Sequence, residues 1–179
     1  MFTTKILPFL REIVFGLEDG MVSTLGAITG IAGATGNRSL VIISGLVIVA
    51  VESLSMAAGT YLSNKSEEQA DGIINHRRRR RISSKPVRDG IYMGISYIIG
   101  GSLALCSYFF LPVNFAIPTS ITLTVIALFT MGVVKGKITR INPWRSGLEM
   151  TTVSLTAASV GFVIGKLASH LFPGFTSGL

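Results

Sequence analysis

Leu40-Val41-Ile42-Ile43-Ser44-Gly45-Leu46-Val47-Ile48-Val49-Ala50-Val51-Glu52-Ser53-Leu54-Ser55-Met56-Ala57-Ala58-Gly59-Thr60-Tyr61-Leu62 carries a single charge in 23 residues. About 20 consecutive apolar residues are enough for a helix to cross a bilayer. The run is continuously apolar, whereas a barrel strand alternates with a period of two. The stretch therefore reads as a membrane-spanning helix. Its one charge, Glu52, falls near the middle. A carboxylate at bilayer depth is costly to keep and is a functional candidate by default.

Four more runs of this kind flank it, at about 13–33, 90–111, 120–136 and 147–171. Gly36-Asn37-Arg38-Ser39, the segment from Pro112 to Pro118, and Ile141-Asn142-Pro143 supply the breaks between them. The expected fold is an all-α integral membrane protein with five transmembrane helices per subunit. It forms one domain over 1–179, with a short basic loop at 63–89. No cleavable leader is expected, because Leu10 to Val14 lacks a basic-then-apolar pattern and the first run contains Glu18 and Asp19. Composition agrees: 49% of the 179 residues are hydrophobic and 14% are charged, against about 25% charged in soluble domains. That hydrophobicity excludes a disordered tail. Cys106 is the sole cysteine, which excludes a disulfide scaffold.

The net charge of +7 is explained by orientation. With five spans, connectors alternate between two sides. One side receives Lys5, Arg11, Lys65, Arg77 to Arg81, Lys85, Arg88, Lys135, Lys137, Arg140 and Arg145, fourteen of the sixteen cations. The other receives Arg38 and Lys166. The positive side is cytoplasmic, so the N-terminus is expected inside and the C-terminus outside. An even number of spans would destroy this asymmetry. Arg77 to Arg81 then serve as a topology determinant near anionic lipid headgroups. Nucleic-acid binding is not expected, since no aromatic residue interleaves the run.

Gly16/Gly20, Gly26/Gly30, Gly90/Gly94, Gly132/Gly136 and Gly161/Gly165 are spaced i,i+4. Such pairs let helix backbones approach closely in lipid. They serve packing within a subunit or, more specifically, a homodimer interface, with the glycine-rich first helix as the best candidate. Five short helices are few to enclose a polar path, and two copies would solve that.

Glu18 and Asp19 lie early in the first run, Glu52 in the middle of the second, and Glu149 at the start of the fifth; Glu12, Glu67, Glu68, Asp71 and Asp89 fall in or beside connectors. Asp19 is six residues past Ile13, about 9 Å into the bilayer. Met56 is expected at a similar depth, with Glu52 one turn further out and on the same face. If the first two helices pack side by side, Asp19, Glu52 and Met56 converge, with Ser53 and Ser55 nearby. Carboxylate oxygens plus a thioether favour a transition metal over Mg²⁺ or Ca²⁺, and partly buried carboxylates can exchange a metal for protons. Taken singly, Met56 also suits ordinary core filling, Glu52 a structural hydrogen bond, and Asp19 a helix irregularity before Gly20. His76 and His170 lack metal-ligand spacing, and no Walker-type glycine loop is present. No enzyme chemistry and no resident cofactor are expected.

Arg11-Glu12-Ile13-Val14-Phe15-Gly16-Leu17-Glu18-Asp19-Gly20-Met21-Val22-Ser23-Thr24-Leu25-Gly26 resembles the first helix of the vacuolar iron transporter family. Glu52-Ser53-Leu54-Ser55-Met56-Ala57-Ala58-Gly59-Thr60-Tyr61-Leu62-Ser63 resembles its second helix, and Asn142-Pro143-Trp144-Arg145-Ser146-Gly147-Leu148-Glu149-Met150 the opening of its fifth. The resemblance implies a dimer of five-helix subunits whose first helices line a path at the two-fold axis. It implies export of Fe²⁺, and in some members Mn²⁺, from the cytosol in exchange for H⁺. The family's translocation residues map onto Asp19, Glu52 and Met56; Glu18, Glu67, Glu68 and Asp71 are weaker metal candidates. The connector from Ser63 to Arg88, about 26 residues, lacks most of the long glutamate-rich cytosolic domain that many members carry. Thr60 stands where the family often has glutamate. In both respects the chain is similar to the shorter, nodulin-like branch. The expected location is the cell membrane in a prokaryote or a vacuolar-type membrane in a eukaryote. The competing functions are a membrane metal-binding or regulatory protein without transport, and a lipid- or nucleic-acid-tethering module built on Arg77 to Arg81.

Overall fold

The computed structural model describes residues 9–74 and 85–171, with side chains for 9–70 and 85–171. Five helices fill these residues, and no strand occurs among them. They are α1 Leu10–Thr35, α2 Arg38–Ile74, α3 Lys85–Phe110, α4 Val113–Thr139 and α5 Pro143–Leu171.

The turns follow from local chemistry. α1 stops at Gly36, whose φ of 61° is left-handed and whose N–H donates to the Ala32 carbonyl at 3.0 Å. Glycine takes that conformation without a Cβ clash. The Asn37 side-chain oxygen then accepts from the Leu40 N–H at 3.2 Å and starts α2. Asn142 does the same for α5, accepting from the N–H groups of Trp144 at 3.1 Å and Arg145 at 3.3 Å. Pro143 follows at the first helical position, where its missing N–H costs nothing.

Two boundaries differ from the sequence expectation. α2 does not end near Leu62 but continues to Ile74, 37 residues in all. The stretch Asn64 to Ala70 has no glycine or proline and is rich in Lys, Glu, Gln and Ala, which favour helix. Pro118 does not close a loop; it lies inside α4, in the second turn after Pro112. A proline this close to a helix start disrupts little of the hydrogen-bond ladder.

Small residues set the packing. A Cβ on Gly16 would lie 2.7 Å from the Met93 carbonyl oxygen, and one on Gly90 2.7 Å from that of Ala57. α3 is thus drawn close to α1 on one side and α2 on the other. α1 packs mainly on α3 and α5, and its contact with α2 is minor. This corrects the expectation that the first two helices lie side by side: α3 wedges between them. The register of the contacts, Gly16 on Met93, Gly20 on Tyr97, and Gly26 and Gly30 on Ala157 and Gly161, runs in one direction. α1, α3 and α5 are therefore parallel. Asn64 meeting Asp89, and Gly132 meeting Gly147, make α2 and α4 antiparallel to them.

The core is built from Leu25, Ile28, Val41, Leu105 and Tyr108, with a second cluster of Met21, Leu128 and Met150. The outside is apolar as well. Ile43, Leu46, Val47, Val51 and Leu54 of α2, and Val160, Val163, Ile164 and Leu167 of α5, are exposed. Surface of that extent belongs against lipid. α2, α3, α4 and α5 are each long and apolar enough to cross a membrane. α1 is not among these four. Arg11, Glu12, Glu18 and Asp19 crowd its first ten residues. The molecule is an all-helical integral membrane protein.

Candidate metal site

α3 supplies the group that links the Glu52 carboxylate to α1, one turn past Asp19. Tyr97 is fully buried, and its hydroxyl donates to Oε2 of Glu52 on α2 at 3.3 Å. The same hydroxyl lies 2.5 Å from the Ser23 Oγ on α1. Ser23 in turn donates to the backbone carbonyl of Asp19 at 2.7 Å. The Asp19 and Glu52 carboxylates lie within electrostatic reach of one another and of Tyr97. Asp19 is half-buried, while Glu52 is exposed on a single chain despite its mid-span position. Met56, half-buried, occupies the same α2 face one turn along.

The remaining candidates separate. Glu18 lies within electrostatic reach of Lys135 on α4 and Glu149 on α5 as well as of Asp19. Glu67 is exposed and Glu68 half-buried on the α2 extension. Glu67 is 15 residues from Glu52, about 22 Å along the helix. The Asp71 side chain and Arg77 to Arg81 lie outside the described residues. Ser53 is buried but donates to its own helix, to the Ala50 carbonyl at 3.0 Å, and Ser55 is exposed. Among the described residues, no three of His, Cys, Asp and Glu converge on one metal position. One chain therefore offers two carboxylates, a thioether and a phenol, short of a closed coordination shell.

Tyr97 and Ser23 are absent from the sequence expectation. A phenol within an apolar run was the available signal, since a buried tyrosine hydroxyl needs a partner. Glu12 and Asp89 also differ from it. Read as connector residues, they are buried in α1 and α3, only 6% and 2% exposed.

A groove of ≈ 890 Å³ runs along α1 and α5. Its walls are small and apolar, including Gly26, Ala27, Gly30, Ala157 and Gly161, and Ser23 opens onto it. The groove and the carboxylate group therefore meet at Ser23.

An apolar bundle carrying two neighbouring carboxylates within its membrane-spanning helices defines a polytopic membrane protein with a polar site. The VIT family profile matches residues 10–86 and 70–166, and the chain belongs to that family. It is 23% identical to Vacuolar iron transporter 1 of Arabidopsis thaliana over 216 positions, covering 90% of this chain and 86% of the relative. It is 30% identical to an uncharacterized protein of Methanocaldococcus jannaschii over 169 positions, covering 87% and 88%. Against Vacuolar iron transporter homolog 2 of Oryza sativa subsp. japonica it is 25% identical over 178 positions, covering 93% and 94%. The 216 positions of the Arabidopsis alignment exceed the 179 residues of this chain, so that relative carries inserted sequence which this short form lacks.

Proposed function

We propose that the protein carries divalent transition-metal ions, Fe²⁺ with Mn²⁺ as a second substrate, out of the cytosol in exchange for protons. The observation that carries this reading is the linked set Asp19, Ser23, Tyr97 and Glu52, with Met56 one turn from Glu52. Hard carboxylate oxygens attract a divalent cation, and the thioether biases the choice toward transition metals. Membership of a family whose relatives are named vacuolar iron transporter supports it further.

The hydroxyl chain supports a role for protons. Ser23 and Tyr97 own one hydroxyl proton each, yet three contacts connect Asp19, Ser23, Tyr97 and Glu52. With Tyr97 donating to Glu52 and Ser23 to the Asp19 backbone carbonyl, the short Ser23–Tyr97 contact has no proton of its own, and either hydroxyl can turn to fill it.

Five spans and a homodimer complete the proposal. α1 crosses as the fifth span because its turns are locked one for one beside those of α3. Fourteen of sixteen cations then fall on the cytoplasmic side. Exposed Glu52 would face lipid on a lone subunit, an expensive placement. A second copy against the groove along α1 and α5 would cover it and supply the missing ligands.

Proteoliposomes with an imposed pH gradient test this. Wild type is expected to move Fe²⁺ and Mn²⁺ against the proton flow, and Asp19→Ala and Glu52→Ala to lose that flux. Undiminished flux in both variants would sink the mechanism. The shortened connector and Thr60 favour a second reading, a metal-binding regulatory protein. It predicts metal-dependent stabilisation without flux.

A further inference from the structure

The cytoplasmic-side end of the same three helices holds another pair of carboxylates. Gly16 of α1 faces the Met93 carbonyl of α3, and Gly20 faces that of Tyr97, so the seam advances four residues at a time on both helices. Carried one step earlier, this register brings Glu12 to the level of Asp89. Asn64 of α2 reaches the same place, donating from Nδ2 to Oδ2 of Asp89 at 2.9 Å. Three helices therefore meet here, as they do at Tyr97.

Both acids are more than nine-tenths buried. Among the described residues, Oε2 of Glu12 and Oδ1 of Asp89 are buried without any hydrogen-bond partner. A buried, unpaired carboxylate oxygen is costly and calls for a proton or a cation. Two such oxygens at one level of the α1–α3 seam supply hard-oxygen donors of the kind divalent cations prefer. Glu12 is seven residues from Asp19, about 10 Å along α1, and Asp89 is eight from Tyr97, about 12 Å along α3. Met93 lies between, its sulfur 3.3 Å from where a Cβ on Gly16 would sit.

We propose that Glu12 and Asp89, with Asn64 orienting the Asp89 carboxylate, form a second divalent-cation site that loads ions from the cytosol toward Asp19 and Glu52. The loading role rests on the transport reading above; the binding site does not. Of the connector it uses only Asn64, so it offers cytosolic-side ligands to a chain that lacks the long glutamate-rich domain.

The test uses full-length protein in detergent and Mn²⁺ as the probe, followed by electron paramagnetic resonance titration. The double variant Asp19→Asn with Glu52→Gln removes the mid-span carboxylates. It is expected to retain one Mn²⁺ per chain. Adding Asp89→Asn, which preserves side-chain shape, should abolish that binding. Adding Asn64→Ala instead should weaken it on the order of 10–100-fold, as loss of a ligand's orienting partner does. Glu12→Gln serves as the parallel variant if Asp89→Asn does not elute as a folded, helical species. Absence of Mn²⁺ from the double variant, or binding unchanged by Asp89→Asn and Glu12→Gln, overturns the site. So does a metal-free gain in thermal stability on Asp89→Asn with no Mn²⁺ bound to its parent, which would mean that the pair shares a proton only. Wild-type liposomes without flux but with this binding intact would instead refute transport and leave the site standing.

Discussion

The hydroxyl of Tyr97 reaches Oε2 of Glu52 at 3.3 Å from a helix whose sequence is notable only for being apolar. The phenol ties the α2 carboxylate to α1 through Ser23. It thus hydrogen-bonds to both of the helices that carry the principal acids.

Tyr97→Phe keeps the ring and removes this link. A hydrogen bond to a charged group is worth about 1.5–3 kcal/mol, and the long contact belongs at the low end, so metal flux is expected to fall about tenfold. The ring still fills its buried position, and thermal unfolding in detergent should move little. Flux equal to wild type would show that Glu52 works without the phenol.

Close approach of α1 and α3 depends on Gly16. A Cβ there meets the Met93 carbonyl oxygen at 2.7 Å, and backbone cannot step aside. Gly16→Ala is expected to cost about 1–3 kcal/mol, measured by thermal unfolding. Gly59 is the contrast, with nothing within 4 Å of its Cβ position. Gly59→Ala should raise stability by about 0.5–1 kcal/mol, the usual gain inside a helix. A loss at Gly59 would reveal a second copy packed against α2.

Arg38 closes the far end of the bundle. Its Nε donates to the Tyr108 carbonyl at 2.7 Å, and Nη2 donates to that of Phe109. These carbonyls end α3, where a cation also complements the helix dipole. Arg38→Gln is expected to lower stability by about 1 kcal/mol, discounted for exposure. Arg38→Lys should recover only part of it, because an ammonium lacks the two-pronged donor geometry. Identical unfolding of Arg38→Gln and wild type would remove the cap from the account.

The fold class was legible because an apolar run such as 40–62 has few alternatives. Helix ends were less so. Hydropathy drops after Leu62, yet Asn64 to Ala70 stay helical, since lipid exposure and helix propensity are separate properties. Neighbour relations were hidden for a different reason. Asp19 and Met56 could be matched in depth by counting residues, with Glu52 one turn further out, but depth does not say which helix lies between two others. That was decided by glycines such as Gly16, Gly90 and Gly100, whose effect depends on what each faces. In sequence, Glu12 and Asp89 lie beside charged connectors, next to Arg11 and Arg88. Their burial comes from the α1–α3 seam, which no single stretch of sequence displays.

α2 runs unbroken from Arg38 to Ile74, about 55 Å of continuous helix. A rod of that length has no joint between its extension past Leu62 and Glu52 at mid-span. Glu52, Met56, Thr60 and Asn64 stand on it at steps of four, like teeth on one bar. A rotation that swings Asn64 off Asp89 must also turn Glu52 against Tyr97. The Asn64–Asp89 and Glu52–Tyr97 contacts are in this sense mechanically geared, and a hand on the far end of α2 is felt at Glu52.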